Sequence, residues 1–168
     1  GTFTVDSTRI TGTAAEIIAV YDAGTAGTVT GLGNEALTIT GGVSVADFNT
    51  IADKTTGTIT ATISDTTSTA LVGITETGHN ISITVIGRTA AAGDTGVLAA
   101  DLPTIDSKSI LPIDATGVTA ITGTDTQITA AYAANTAGTI TGLGNESLTV
   151  TNALTVAEAN AIRALTTN

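Results

Sequence analysis

Hydrophobic and polar positions alternate along this chain with two different periods. In two stretches aliphatic residues take every second place: Ile59, Ala61 and Ile63 against Thr58, Thr60 and Thr62, and Ile81, Ile83 and Val85 against Ser82, Thr84 and Ile86. That period predicts strands with one aliphatic face and one mostly hydroxyl face. Elsewhere the spacing is three to four. Ile17, Val20 and Tyr21 fall on one helical face, as do Ile128, Ala131 and Tyr132, then Val45, Phe48, Ile51 and Ala52, then Val156, Ala159, Ile162 and Leu165. Each helical stretch follows a cap. Thr13 with Glu16, Thr124 with Gln127 and Thr155 with Glu158 have capping-box spacing, and Ser44 with Asp47 is a weaker form. Strand centres fall near residues 4, 29, 38, 60, 83, 119, 139 and 149, with helices between most of them. Such alternation predicts parallel strands joined by crossovers.

The pattern is also written twice. Residues 121–168 laid beneath residues 10–57, at an offset of 111, give 27 identities in 48 positions without a gap. GLGNEALTIT returns as GLGNESLTVT, and a looser third copy, GHNISITV, begins at Gly78. The first copy runs on into TITATIS, and the matching passage after the second copy would be supplied by GTFTVDS at Gly1, as though the 168 residues were one period of a longer array. Strands with a hydroxyl face do not suit a doubly wound sheet buried on both sides. The expected fold is therefore an α/β solenoid of strand-helix coils over residues 1–168, with a parallel β-helix carrying short helices as its near neighbour. Residues 89–116 interrupt the pattern with Gly93, Gly96, Pro103, Pro112 and four aspartates, Asp94, Asp101, Asp106 and Asp114. They read as a loop-rich insertion, the place where a specific contact would sit on a repeat scaffold.

Composition narrows the function. Threonine, alanine and glycine make up half the chain; Cys, Met and Trp are absent, and only four residues are aromatic. Disulfide frameworks, thiolate metal sites and aromatic base-stacking platforms are thereby excluded. The net charge is −10, and the five basic residues are scattered singly, which argues against nucleic acid and anionic lipid as partners. No apolar run reaches the roughly 18–20 residues of a membrane span, so membrane insertion is not expected. The opening GTFTVDSTRI lacks the basic and apolar regions of a signal peptide, so no targeting or anchoring segment is read.

Few motifs suggest chemistry. Gly31–Ala36, GLGNEA, has the spacing of a dinucleotide fingerprint, but LTIT follows it where a helix is required. The reading left is a tight turn. His79 in TETGHN is read as an exposed turn histidine, since neither a nucleophile elbow nor a carboxylate pair stands with it. Asp22, Asp53 and Asp65 read as caps, turn residues and solvated charge. Paired threonines, Thr28/Thr30, Thr38/Thr40, Thr58/Thr60/Thr62 and Thr139/Thr141, raise a threonine array of the ice-binding kind as a second alternative.

The words G-L-G-N-E-x-L-T-I/V at Gly31 and Gly142 resemble the glycine-rich nonapeptide of hemolysin-type secreted proteins, in which Ca²⁺ lies between consecutive coils. The resemblance implies weak calcium candidates at Asn34, Glu35, Asn145 and Glu146. Here each nonapeptide stands alone, with Glu where that family has Asp, and one turn offers few of the six to eight oxygens that Ca²⁺ takes. Over nearly its whole length, in phrases such as ITGTAAE, GTVTG and TTGTITAT, the chain resembles the Thr/Ala/Gly-rich tandem segments of giant secreted or cell-surface proteins of cyanobacteria and related bacteria. That implies an extracellular structural role without catalysis or a required cofactor.

The expectation is a structural repeat unit of an extracellular filament, sheath or giant surface protein, assembling with copies of itself end to end or in tandem. The alternative is an adhesin-like repeat, binding a glycan or a cell-surface partner with or without calcium. Its core and assembly residues are expected to be Phe3, Val5, Ile17, Tyr21, Leu37, Ile39, Phe48, Ile51, Ile59, Ile63 and Ile83 in the first part. Ile128, Tyr132, Leu148, Val150, Ile162 and Leu165 are expected to match them in the second.

Overall fold

Helix starts set the frame of the molecule. In the computed structural model, which describes residues 1–89, 93 and 95–167, Thr13, Thr124 and Thr155 each close a reciprocal capping box with Glu16, Gln127 and Glu158. The Ser44 hydroxyl accepts from the Asp47 N–H. These caps satisfy backbone donors that a helix start leaves unpaired. They open α1 (Ala14–Thr25), α5 (Asp125–Ala137), α6 (Val156–Arg163) and α2 (Val45–Ala52) respectively. Two shorter helices, α3 (Ser68–Leu71) and α4 (Asp101–Asp106), make six among the described residues.

The strands are β1 (Phe3–Thr4), β2 (Arg9–Gly12), β3 (Val29–Thr30), β4 (Ala36–Val43), β5 (Ile59–Ile63), β6 (Asn80–Ser82), β7 (Gly96–Leu98), β8 (Ile113–Asp114), β9 (Ala120–Gly123), β10 (Ile140–Thr141) and β11 (Ser147–Val150). They pair in parallel in four short sheets: β1-β3, β10-β8, β11-β9-β7 and β2-β4-β5-β6. Cross-strand pairs put like on like, as Ile10, Leu37 and Ile59 do in one row and Thr11, Thr38 and Thr60 in the next. The aliphatic row faces the helices, and β5 reads buried, exposed, buried along its length.

This architecture corrects the expected α/β solenoid, and equally its β-helix neighbour. The described residues form a small α/β domain of six helices and several short parallel sheets, and among them no single sheet runs through the molecule. A stack of equal coils requires every coil to hand on the same strand and helix. Between Ile63 and Ala120 the chain hands on unequal pieces: a four-residue helix, isolated bridges at Thr67–Gly87, His79–Ser109 and Thr84–Asp114, and a six-residue helix. Even β4 and β5 shift register between Thr38 and Gly42. Ile83 therefore lies just beyond β6 rather than at a strand centre, although it is buried.

The core is aliphatic and continuous. Ile17, Tyr21, Leu37, Ile39, Phe48, Ile51, Ile59, Ile63, Ile83, Ile128, Tyr132 and Ile162 are all buried in it. Leu148, Val150 and Leu165 pack against it half-exposed, and Val5 is half-buried. Phe3 does not join the core: it is 67% exposed on β1, whose only strand partner among the described residues is β3. The segment read as an insertion contains β7, α4 and β8, with Leu102, Ile105 and Ile113 fully buried. Asp94, residues 90–92 and Asn168 lie outside the described residues.

Candidate functional site

The most distinctive polar groups are two buried glutamates at equivalent places. Gly31 and Gly33 take φ of +83° and +129°, and Gly142 and Gly144 take +93° and +154°, which lets GLGNE fold into a tight turn after β3 and after β10. Any side chain on Gly31 would press on Val5 O at 2.5 Å, so the turn also lies close against the neighbouring backbone. Each turn directs its glutamate inward, and both Glu35 and Glu146 are wholly removed from solvent.

The two sites are built alike. Tyr21 on α1 donates its hydroxyl to Glu35 Oε2 at 2.8 Å, while the Gly33 N–H reaches Oε1 and Oε2 at 3.1 and 2.9 Å. Tyr132 on α5 donates to Glu146, and the Gly144 N–H reaches its oxygens at the same two distances. The threonine after the next helix completes each turn. Thr55 donates to Glu35 O at 2.9 Å and Thr166 to Glu146 O at 2.8 Å. Thr56 N and Thr167 N then bond to Gly33 O and Gly144 O. Each glutamate thus ties a helix, a turn and the chain after the following helix into one knot.

Electrostatics agree with that geometry. Burial alone would raise the Glu35 carboxyl, but the Gly33 N–H and the Tyr21 hydroxyl outweigh it and hold the group below the usual carboxylate range. Burial, reinforced by the bond to Glu35, pushes the Tyr21 hydroxyl up to about 12. Tyr132 is raised for the same two causes, burial and Glu146. The tyrosines therefore stay protonated donors and the Glu35 site holds an ionised acceptor.

Of the calcium candidates, Glu35 and Glu146 have their carboxylate oxygens taken by these donors and turned away from solvent. Asn34 and Asn145 stand beside them in the turns. Among the described residues no group of three or more His, Asp or Glu is placed to hold a metal ion. The sequence reading missed the tyrosine partners, although a signal existed: in both copies the tyrosine precedes the glutamate by 14 residues and is the lone polar residue on its helix's apolar face.

His79 departs from its expected role as an exposed turn residue. It is half-buried, its Nδ1 accepts the Ile59 N–H at 3.2 Å, and its ring meets Phe48 edge-on with centroids 5.8 Å apart. Burial lowers its affinity for a proton, with Glu76 acting in the opposite sense. Asp65 serves as a remote cap, accepting the Val45 N–H at 2.7 Å. Asp53 ends α2, and Asp22 pairs with Lys54 at 3.5 Å.

One difference between the copies lies at the surface. An open groove of about 500 Å³ runs beside Tyr21, Gly24, Leu32 and Lys54. In the second copy Asn135 stands where Gly24 does in the first, donating to Leu143 O at 3.3 Å and accepting from Leu143 N at 3.2 Å. On the outer sheet face hydroxyls meet one another and a guanidinium: Thr4 lies 3.1 Å from Thr30, and Arg9 Nη2 donates to Thr38 at 2.8 Å.

No protein-family model, no curated protein and no solved structure matches the chain. Among the described residues no helix is long and apolar enough to cross a membrane.

Proposed function

We propose that this chain is a non-catalytic structural repeat module of an extracellular filament, sheath or giant cell-surface protein, working with copies of itself. The observation that carries the reading is the use made of its buried polar groups. Both buried carboxylates, at equivalent positions 111 residues apart, are consumed in holding backbone and helix together. A catalytic carboxylate needs access to a substrate proton; these have none. A chain that repeats its internal fastening, and dilutes reactive side chains among Thr, Ala and Gly, suits a mechanical role. Fifteen acidic residues against five basic ones keep such a module soluble at high local concentration.

The test is made on the native source. Intact cells are treated with an external protease, and the chain is followed with an antibody to this segment while its denatured mass is determined. The expected result is loss of the signal from intact cells, with a mass that shows either a subunit of an assembly or one part of a giant chain. A fully protected chain released only by lysis overturns the extracellular structural reading.

A further inference from the structure

We propose that the groove beside Gly24 binds a primary carboxamide, whose oxygen accepts the Leu32 N–H and whose NH₂ group donates to Leu32 O. The inference goes beyond the structural-module reading and does not depend on it.

The internal repeat displays the arrangement. In the second copy the Asn135 side chain is itself a primary carboxamide, and it holds one residue of the following turn by both backbone groups. Its nitrogen donates to Leu143 O at 3.3 Å and its oxygen accepts from Leu143 N at 3.2 Å. In the first copy residue 24 is glycine, and among the described residues neither the N–H nor the C=O of Leu32 has a hydrogen-bond partner.

The frame around the two places is otherwise the same, bond for bond. The Thr25 and Thr136 hydroxyls donate to Tyr21 O and Tyr132 O at 3.1 and 3.0 Å. Gly27 N and Gly138 N donate to Gly24 O and Asn135 O at 3.0 and 3.2 Å, and Thr28 N and Thr139 N to Ala23 O and Ala134 O at 3.0 and 3.1 Å. The turns agree too, down to the distances from Gly33 N and Gly144 N to their glutamates. Leu32 therefore faces α1 as Leu143 faces α5, and the difference between them is one side chain on the chain's own helix. The groove's lining residues all lie between Tyr21 and Lys54, well inside the sequence.

The chemistry of the groove selects its occupant. Its volume of about 500 Å³ exceeds what a carboxamide needs. The polar side chains along it are already engaged: Tyr21 with Glu35, Thr25 with Tyr21 O, Thr30 with Thr4, and Lys54 with Asp22. Recognition then falls to the Leu32 backbone, which offers one donor and one acceptor from a single residue. A primary carboxamide presents the complementary acceptor and donor on one edge. A carboxylate has only acceptors, an ammonium only donors, and a trans secondary amide turns its N–H and C=O to opposite sides. A Cβ on Gly24 would lie 2.9 Å from Leu32 Cδ1, so the end of that half-buried side chain turns aside as the ligand enters.

The test follows the backbone amides of the isotope-labelled full chain by NMR while acetamide, the Asn135 side chain from Cβ outward, is added. The expected result is a saturating downfield shift of the Leu32 amide proton with little change at Leu143. N,N-dimethylacetamide keeps the carbonyl but lacks both N–H donors, and it should bind roughly tenfold more weakly. Gly24→Asn supplies the carboxamide from the helix, so its Leu32 amide should start at the shifted position and no longer respond. Asn135→Gly should make the Leu143 amide respond as well. A blocked Ala-Asn-Ala peptide that binds more tightly than free asparagine places the carboxamide on a polypeptide partner; the reverse order places it on a free amino acid. Three results overturn the inference: a Leu32 amide that shows no saturable shift, an equal response to the dimethyl compound, or a folded Gly24→Asn chain that responds as the parent does. None of them alters the protease and mass test on the native source, so failure of this site and failure of the structural role are separable.

Discussion

At Glu35 the chain removes a carboxylate from water entirely and keeps it ionised with backbone N–H groups of the turn, Gly33 foremost, and the Tyr21 hydroxyl. Removing that hydroxyl leaves a buried acceptor short of a donor, which costs about 1–3 kcal/mol. Tyr21→Phe should lose that much in urea unfolding, with Tyr132→Phe behaving alike. Since the folded-state pKa of Glu35 is depressed, its contribution is complete above about pH 4.3 and disappears as pH falls through the lower folded value. His79 adds a second acid-sensitive contact. Its folded pKa is also lowered, so its contribution is complete above about pH 6.5 and is lost as acid protonates Nδ1 and removes the acceptor for Ile59 N–H. His79→Phe should lower stability at neutral pH and flatten its fall between roughly pH 7 and 5, as thermal melts in a buffer series would show. The turns themselves were legible, because Gly-x-Gly-Asn fixes positive φ locally. Their fastening was not, because a hydrogen bond across 14 residues depends on where a helix packs.

Capping chemistry was the most readable part of the elements. Thr13, Thr124 and Thr155 start helices where their spacing to Glu16, Gln127 and Glu158 places them, because both partners lie within one turn. Thr124→Ala should cost about 1 kcal/mol, measurable by denaturant unfolding and without effect on the Tyr132–Glu146 contact. The short elements were illegible for physical reasons. Helix α4 contains Pro103, which marks a breaker on paper, yet it occupies the first turn, where a missing N–H costs nothing. Strands β7 and β8 have three and two residues, too few for a period to declare itself, and they are recruited by pairing with β9 and β10. Gly57 marks another contact without a local signal. A Cβ there would lie 2.1 Å from Glu35 O, so Gly57→Ala must displace backbone and should destabilise by more than about 2 kcal/mol.

At the scale of the molecule the sequence showed that an aliphatic face would be covered by capped helices, and it misjudged how regularly. The described residues between 64 and 119 break the succession of equal coils, and the described strands settle into four short parallel sheets. Calcium belongs to this scale as well, because a cation at the GLGNE turns would have to displace the tyrosine donors in both copies. Melting in millimolar calcium and in EGTA should coincide; a rise of several degrees with calcium would restore the Asn34, Glu35, Asn145 and Glu146 site. What fastens the molecule is its pair of buried glutamates, each joining a helix, a turn and the chain beyond the following helix. Calorimetry of the Glu35→Ala, Glu146→Ala double variant beside the parent chain reads that fastening. Buried donors left without an acceptor are costly, so the doubly substituted chain should melt well below the parent. A double variant that melts at the parent's temperature would show that the glutamates do not hold the fold together.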